Sequence, residues 1–192
     1  MSTAYKICYC LAYPIFRPLY PCSFSGAENI PEGPVIVCAN HSNLVDPILI
    51  AFAFGLKRQL FFMAKAELFR IPLLKSILKW IGVFPISRGE SDINSIRTAI
   101  KHLKNGRQIM MFPEGTRVGV TDAVSAKNGA VRIAIKLKVP LLPIYITSNK
   151  KAFRLSKLAI GKPYSPLAPE DKDYAHLSDE LMEEIYALGS NH

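Results

Sequence analysis

Long apolar runs are missing from this sequence, although 49% of its 192 residues are apolar. No stretch of 18 or more uninterrupted apolar residues occurs, so the sequence predicts no membrane-spanning helix. The nearest approach, residues 4–20, is interrupted by Lys6 and Arg17, and no small-residue cleavage site follows it, which argues against a signal peptide. Pro14 further predicts that no continuous helix runs through this stretch.

The same N-terminal stretch is rich in aromatic rings. Its aromatic residues are Tyr5, Tyr9, Tyr13, Phe16 and Tyr20. Rings flanked by basic side chains are typical of a segment that lies in a bilayer interface, and core packing of the same rings is the alternative. We predict an N-terminal interfacial segment over residues 1–25 and one domain over residues 26–192.

Cysteine patterns typical of metal sites are also missing. The four cysteines lie in the first fifth of the chain, and none stands in a C-x-x-C pair or beside a histidine at ligand spacing. They are therefore expected to be free thiols of a cytosolic protein, and no metal site is predicted. The sequence also lacks repeats, low-complexity segments and linkers, which favours a single domain.

Acidic residues are scarce outside the C-terminal segment. Residues 170–192 hold seven acids and one lysine, while the first 169 residues hold 23 basic and 8 acidic groups. A body this basic favours an anionic partner, which could be a lipid surface, a phosphorylated substrate or nucleic acid. No recognised nucleic-acid motif is present, so we expect no nucleic-acid partner.

From Gly33 onward, short apolar runs alternate with amphipathic stretches. The predicted strands are residues 35–39, 60–64, 83–86, 108–112, 141–146 and 157–160, and the predicted helices are residues 44–56, 71–81, 91–105 (starting at Ser91 or Asp92), 129–137 and 174–188. This alternation predicts an α/β fold: a single domain with a mostly parallel central sheet flanked by helices.

A histidine and an aspartate follow the first of these predicted strands. His41 and Asp46 lie where the strand gives way to a helix, which is where open α/β sheets place ligands. If His41 lies in the turn and Asp46 in the first helical turn, the carboxylate can fix the imidazole tautomer and leave the other ring nitrogen as a general base. Alone, this spacing is a weak signal, because a capping aspartate near an unrelated histidine is commoner.

Two further polar clusters follow predicted strands. Residues 114–117 follow one strand, and Arg88 follows another. The guanidinium of Arg117 suits bidentate phosphate binding, and Gly115 lets the backbone approach a ligand closely. Because the carboxyl ends of parallel strands share one edge of the sheet, we expect the three clusters to converge on one site.

These segments resemble the four sequence blocks of the PlsC family, the 1-acyl-glycerol-3-phosphate acyltransferases and their glycerol-3-phosphate acyltransferase relatives. The matches, in chain order, are His41 with Asp46, residues 84–88, residues 112–117 and residues 139–144, with Lys127 and Gly129 matching a frequent Lys-x-Gly. The resemblance spans roughly residues 26–146. Asn43, Ser87 and Val118 depart from the common pattern, but none of them removes a charge that the family's mechanism needs.

The resemblance implies the glycerol-3-phosphate acyltransferase-like fold and direct acyl transfer. A fatty acyl group would pass from acyl-CoA or acyl-carrier protein to the sn-2 hydroxyl of 1-acyl-glycerol-3-phosphate (lysophosphatidic acid), giving phosphatidic acid for phospholipid biosynthesis. His41 would act as the general base and Asp46 would orient it. The implied substrate-binding residues are Arg88, Glu114, Gly115, Thr116, Arg117 and Lys127, with Glu114 either orienting its loop or contacting the acceptor.

No cofactor, metal or acyl-enzyme intermediate is implied, and the expected location is peripheral, on the cytoplasmic face of a membrane lipid surface. Glycerol-3-phosphate or another lyso-lipid is the alternative acceptor. A catalytically inactive lipid- or membrane-binding module is the non-enzymatic alternative, but it would predict a damaged His41–Asp46 pair. A metal-dependent hydrolase is disfavoured because no second ligand pair accompanies the other histidines.

Overall fold

The computed structural model describes residues 1–86, 93–117, 126–171 and 173–190. Within these ranges the strands are β1 (Cys22–Ser25), β2 (Ile36–Ala39), β3 (Leu60–Lys65), β4 (Val83–Ile86), β5 (Gln108–Met111), β6 (Leu141–Ile146) and β7 (Ser156–Ile160). The helices are α1 (Thr3–Leu19), α2 (Asp46–Phe54), α3 (Pro72–Trp80), α4 (Ile93–Lys104), α5 (Gly129–Leu137) and α6 (Tyr174–Ser190), with short 3-10 helices at Ala27–Asn29 and Ala66–Arg70.

The described strands form one seven-stranded sheet in the order β1-β7-β6-β2-β5-β3-β4. β6 and β7 pair antiparallel, and the other neighbouring strands described are parallel. The central strands β2 and β6 are apolar along their length because helices cover both faces of the sheet. One apolar cluster joins α1 and α2 to one face, and a second joins α4, α5 and α6 to the other. The predicted α/β class and mostly parallel sheet are confirmed.

The strand register brings the predicted site segments to one edge of the sheet. β2 lies between β5 and β6, with Cys38 opposite Met111 and Ala39 opposite Ile144. The residues that follow these three strands therefore emerge side by side. β4 also runs parallel to β3, but Arg88 lies outside the described residues, as do the predicted helix start at residues 91–92 and the departures at Ser87 and Val118.

The first helix contradicts one sequence prediction. Pro14 and Pro18 both lie inside α1, which runs without a break, so the prediction that Pro14 prevents a continuous helix was wrong. Proline removes one helical hydrogen bond and crowds the preceding turn, but tertiary packing offsets this cost. The rings of Tyr9 and Tyr13 lie 5.2 and 5.0 Å from that of Phe52 in α2.

The N-terminal segment also contributes to the sheet. β1, which was not among the predicted strands, pairs in parallel with β7 at the edge of the sheet. Its four residues are half polar and only alternately buried, so they lack the continuous apolar run that marks the central strands. In the part of the chain that the structure describes, no helix has both the length and the apolar character that crossing a membrane requires.

Candidate active site

The turn after β2 is held by a buried amide. Asn40 is 1% exposed, and its side chain makes two hydrogen bonds to the backbone of Ile146 at the end of β6. Its Nδ2 donates to the carbonyl and its Oδ1 accepts from the N–H, each over 2.8 Å. The next residue is His41, so the position of the histidine is fixed relative to two central strands.

Asp46 forms a hydrogen bond with the imidazole of His41 and also binds the backbone of the turn between them. Its Oδ2 lies 3.0 Å from His41 Nδ1 and accepts the backbone N–H groups of Ser42 and Asn43 over 2.8 Å each. Residues 41–45 form a turn, and Asp46 is the first residue of α2. The carboxylate therefore reaches back to a ring that a continuous helix would place out of reach.

The electrostatic environment keeps Asp46 ionised. Burial alone would raise the pKa of this fully buried carboxyl, but the hydrogen bond from His41 and the positive charge of Lys150 outweigh burial and lower the pKa. An ionised Asp46 accepts a hydrogen bond from Nδ1 of His41 and so keeps the ring proton on that nitrogen. Nε2 of His41 is then the basic nitrogen. The His41 ring stacks on Phe112 with centroids 4.0 Å apart.

Glu114 supports the same turn from the loop after β5. The residue is 4% exposed, and its Oε2 accepts the backbone N–H of His41 over 2.8 Å. Its Oε1 accepts the hydroxyl of Tyr186, on α6, over 2.7 Å. Burial raises the pKa of the Glu114 carboxyl, and these two hydrogen bonds only partly oppose the rise. Glu114 thus connects β5, the His41 turn and the C-terminal helix.

The backbone of Gly115 is packed against a lysine side chain. Gly115 has a φ of 65°, and a Cβ placed there would lie 2.6 Å from Cε of Lys127. A side chain at this position would therefore be strained and would displace Lys127. The neighbouring Thr116 and Arg117 are exposed.

A cavity of about 770 Å³ opens beside His41. Its lining includes the polar or basic groups His41, Arg117 and Lys127 together with Gly115. The rest of the lining is mainly apolar and includes Tyr9, Ala12, Ala51, Phe52, Leu74, Ile77, Leu78, Met110, Phe112 and Ile133. A cavity of this volume and apolar character suits a hydrocarbon chain whose polar end lies near the histidine.

The structure brings most of the predicted site residues together. His41, Asp46, Glu114, Gly115, Arg117 and Lys127 lie at one end of the sheet or line the cavity there, and Thr116 is exposed beside them. Among the described residues, no group of three or more histidine, cysteine, aspartate or glutamate side chains is placed to hold a metal ion.

Sequence reasoning missed three residues that support the site: Asn40, Tyr186 and Lys150. Asn40 and Lys150 each follow a central strand, so the strand-end argument applied to His41 could have found them. Lys150 has a fully buried side chain that pairs with Asp46 Oδ1. Tyr186 lies on the distant α6 and carries no local sequence signal.

Known proteins with similar sequences include two bacterial acyltransferases. The chain is 40% identical over 157 residues to a 1-acyl-sn-glycerol-3-phosphate acyltransferase of Bacillus subtilis (strain 168), covering 78% of this chain and 74% of the relative. It is 35% identical over 135 residues to the protein of the same name from Borreliella burgdorferi, covering 65% of this chain but only 51% of the relative.

A solved structure is also similar. The crystal structure of the 1-acyl-sn-glycerophosphate (LPA) acyltransferase PlsC from Thermotoga maritima superposes with a TM-score of 0.73 at 28% identity, covering 96% of this chain and 79% of that one. The family profile named Acyltransferase matches residues 22–147. That region contains the His41–Asp46 pair and the loop after β5, and the chain therefore belongs to the acyltransferase family.

Proposed function

We propose that this acyltransferase moves a fatty acyl group from an acyl thioester to the sn-2 hydroxyl of 1-acyl-glycerol-3-phosphate, giving phosphatidic acid. The observation that carries the proposal is an oriented imidazole beside a large apolar cavity whose lining also includes Arg117 and Lys127. The cavity suits the acyl chain, and the two cations suit the phosphate. The names of the similar proteins support this acceptor.

The chemistry follows from the free nitrogen of His41. Nε2 takes the proton of the acceptor hydroxyl while that oxygen attacks the thioester carbonyl carbon. The carbon–sulfur bond then breaks, and the departing thiolate takes the proton back from the imidazolium. Asp46 keeps Nδ1 protonated throughout and stabilises the transient positive charge on the ring. The acyl group passes directly to the acceptor, so this route needs no covalent acyl-enzyme.

The function is tested by thiol release from palmitoyl-CoA and from palmitoyl-acyl-carrier protein with a panel of acceptors. We expect release that depends on lysophosphatidic acid, with phosphatidic acid identified by mass, and the two donors decide which thioester is used. Preference for glycerol-3-phosphate or another lyso-lipid would reassign the acceptor. Thiol release without any acceptor would point to a hydrolase instead.

Arg117 is proposed to bind the acceptor phosphate with a bidentate guanidinium. Arg117→Lys keeps the charge but loses the planar fork. We expect KM for lysophosphatidic acid to rise about tenfold, the effect of losing one charge-assisted hydrogen bond of about 1.4 kcal/mol, with KM for the thioester much less affected. The measurement is steady-state kinetics with each substrate varied in turn.

Arg97→Lys provides the matched control for that experiment. Arg97 is an exposed arginine of α4 that does not line the cavity, so its exchange should leave both KM values unchanged. If Arg117→Ala uses lysophosphatidic acid as well as the parent protein does, the phosphate binds elsewhere.

We also propose peripheral docking of the protein on the cytoplasmic face of an anionic membrane through α1 and α3. Both helices line the cavity with one side and expose apolar residues on another. The most exposed of these are Ile7, Leu11, Ile15, Leu73 and Trp80. Lys75 and Lys79 are exposed on α3, and each basic side chain near an anionic leaflet contributes about 1 kcal/mol. Reversible attachment would bring the cavity next to amphiphilic substrates.

Lys75→Glu with Lys79→Glu should sharply reduce co-sedimentation with vesicles containing anionic lipid. Binding by the parent protein should rise with anionic lipid content and weaken at high salt, because the attraction is screened within a Debye length. Lys101→Glu with Lys104→Glu is the matched control, since these exposed lysines lie on α4 across the sheet. Equal loss in the two double variants, or binding that ignores lipid charge, would contradict docking through α3.

A further inference from the structure

A buried lysine lies directly behind the His41–Asp46 pair. The side chain of Lys150 is fully buried, and its Nζ contacts Asp46 Oδ1 and the carbonyl oxygen of Thr147. The Oγ of Ser42 lies 3.4 Å from the same nitrogen. Lys150 does not line the cavity, so its ammonium is not placed to contact a substrate there. Any contribution to catalysis must therefore pass through Asp46.

The conformation of the turn after β6 places the side chain of Lys150 against Asp46. β6 is the neighbour of β2 in the sheet, so the residues that follow it lie beside the His41 turn. Asn149 adopts a φ of 52°, a left-handed conformation that asparagine tolerates better than most residues. On the other side of the turn, the backbone N–H of Thr147 donates to the carbonyl oxygen of Lys157, and the backbone N–H of Lys157 donates to the hydroxyl of Thr147. Lys150 thus lies in a loop that hydrogen bonds anchor to β7.

The two oxygens of Asp46 have different partners. Oδ2 receives the imidazole and two backbone N–H groups, while Oδ1 pairs with Lys150. This division fixes the carboxylate in the rotation that presents Oδ2 to the ring. Lys150 also supplies the positive charge that the buried carboxylate of Asp46 needs in order to stay ionised.

We propose that Lys150 is a positioning residue that holds Asp46 and offsets its charge, so that Asp46 orients His41 without adding an uncompensated negative charge beside the imidazole. An unopposed carboxylate next to an imidazole stabilises the imidazolium, which cannot act as a base. With Lys150 in place, Asp46 enforces the tautomer while the local charge stays close to zero. The inference rests on the proposed role of His41 as general base.

The expected pH effect has a definite sign. Without Lys150, the uncompensated Asp46 favours protonated His41, or Asp46 itself takes up a proton in its buried site. Both events remove the working base at low pH, so the acidic limb of the kcat/KM profile moves to higher pH. Among the residues that the structure describes, the other charged groups on this side of the pair are Glu114, bound to the His41 N–H and to Tyr186, and the cations that line the cavity, which are Lys65, Arg117 and Lys127. None of these is changed in the experiment.

Lys150→Met should lower kcat about 100-fold, the usual size of a small misplacement of a site residue, and should move the acidic limb upward. Lys150→Arg keeps the charge, so its acidic limb should stay near that of the parent protein even if kcat falls. Lys151→Met is the matched control, because Lys151 is the exposed neighbour, and it should change neither quantity. A fall in kcat with an unmoved acidic limb in Lys150→Met would mean a merely structural role and would overturn the proposal.

A second measurement needs no substrate. Thermal unfolding is compared for Asp46→Asn, Lys150→Met and the double variant. If Lys150 is the counter-ion of Asp46, either single change leaves one buried charge unpaired, and the double variant should be more stable than the sum of the two losses predicts. Additive losses, or failure of both Lys150→Met and the double variant to fold, would overturn the proposal. The coupling between Asp46 and Lys150 is measured without any substrate. It can therefore support or overturn the role of Lys150 even if the acceptor of the reaction proves to be different.

Discussion

His41→Ala should lower turnover by roughly 10²–10⁴-fold, the usual range when a general base is removed. The acceptor hydroxyl then has no positioned group to take its proton, while the cavity and its cations are unchanged. The loss should appear in kcat, with KM for the thioester little affected. Steady-state kinetics with palmitoyl-CoA and lysophosphatidic acid measures both.

The fold should survive this change because Asp46 keeps its other partners. Oδ2 still accepts the N–H groups of Ser42 and Asn43, and Oδ1 still pairs with Lys150. Thermal unfolding close to that of the parent protein would establish this. His176→Ala is the matched control, since His176 is an exposed histidine on α6. Near-normal turnover in His41→Ala would remove His41 from the mechanism.

Asp46→Asn should lower turnover by a factor on the order of 10⁴, the size that the same exchange has in catalytic triads. The asparagine amide can donate to Nδ1 of His41, which would place the ring proton on Nε2. That nitrogen then faces the acceptor as a donor and cannot take a proton. The effect should exceed any change in substrate binding, because Asp46 is buried and does not line the cavity.

Asp46→Asn should also reduce thermal stability, unlike His41→Ala, because the buried Lys150 loses its carboxylate partner. Asp179→Asn is the matched control: it makes the same exchange at an exposed position of α6 and should change neither turnover nor stability. Turnover within tenfold of the parent protein in Asp46→Asn would show that the tautomer of His41 does not limit the reaction.

Much of the fold could be read from local patterns. The central strands β2, β5 and β6 are short apolar runs, and such runs are what burial on both faces of a parallel sheet requires. The edge strand β1 was not predicted because its half-polar sequence carries no such pattern. The continuous helix α1 was not predicted for a different reason. The packing of Tyr9 and Tyr13 on Phe52 outweighs the local effect of Pro14.

The sequence by itself determined the α/β class, the strand-end position of the His41–Asp46 pair and its place beside the loop at residues 114–117. Each of these depends on residues close together in the chain and on the common edge of parallel strands. Only the tertiary structure decided how that pair is supported. Glu114 meets Tyr186 across 72 positions, and Lys150 reaches Ser42 and the neighbouring Asp46 turn across 108. Such contacts depend on strand register and on which side chains are buried together, and no local spacing encodes either.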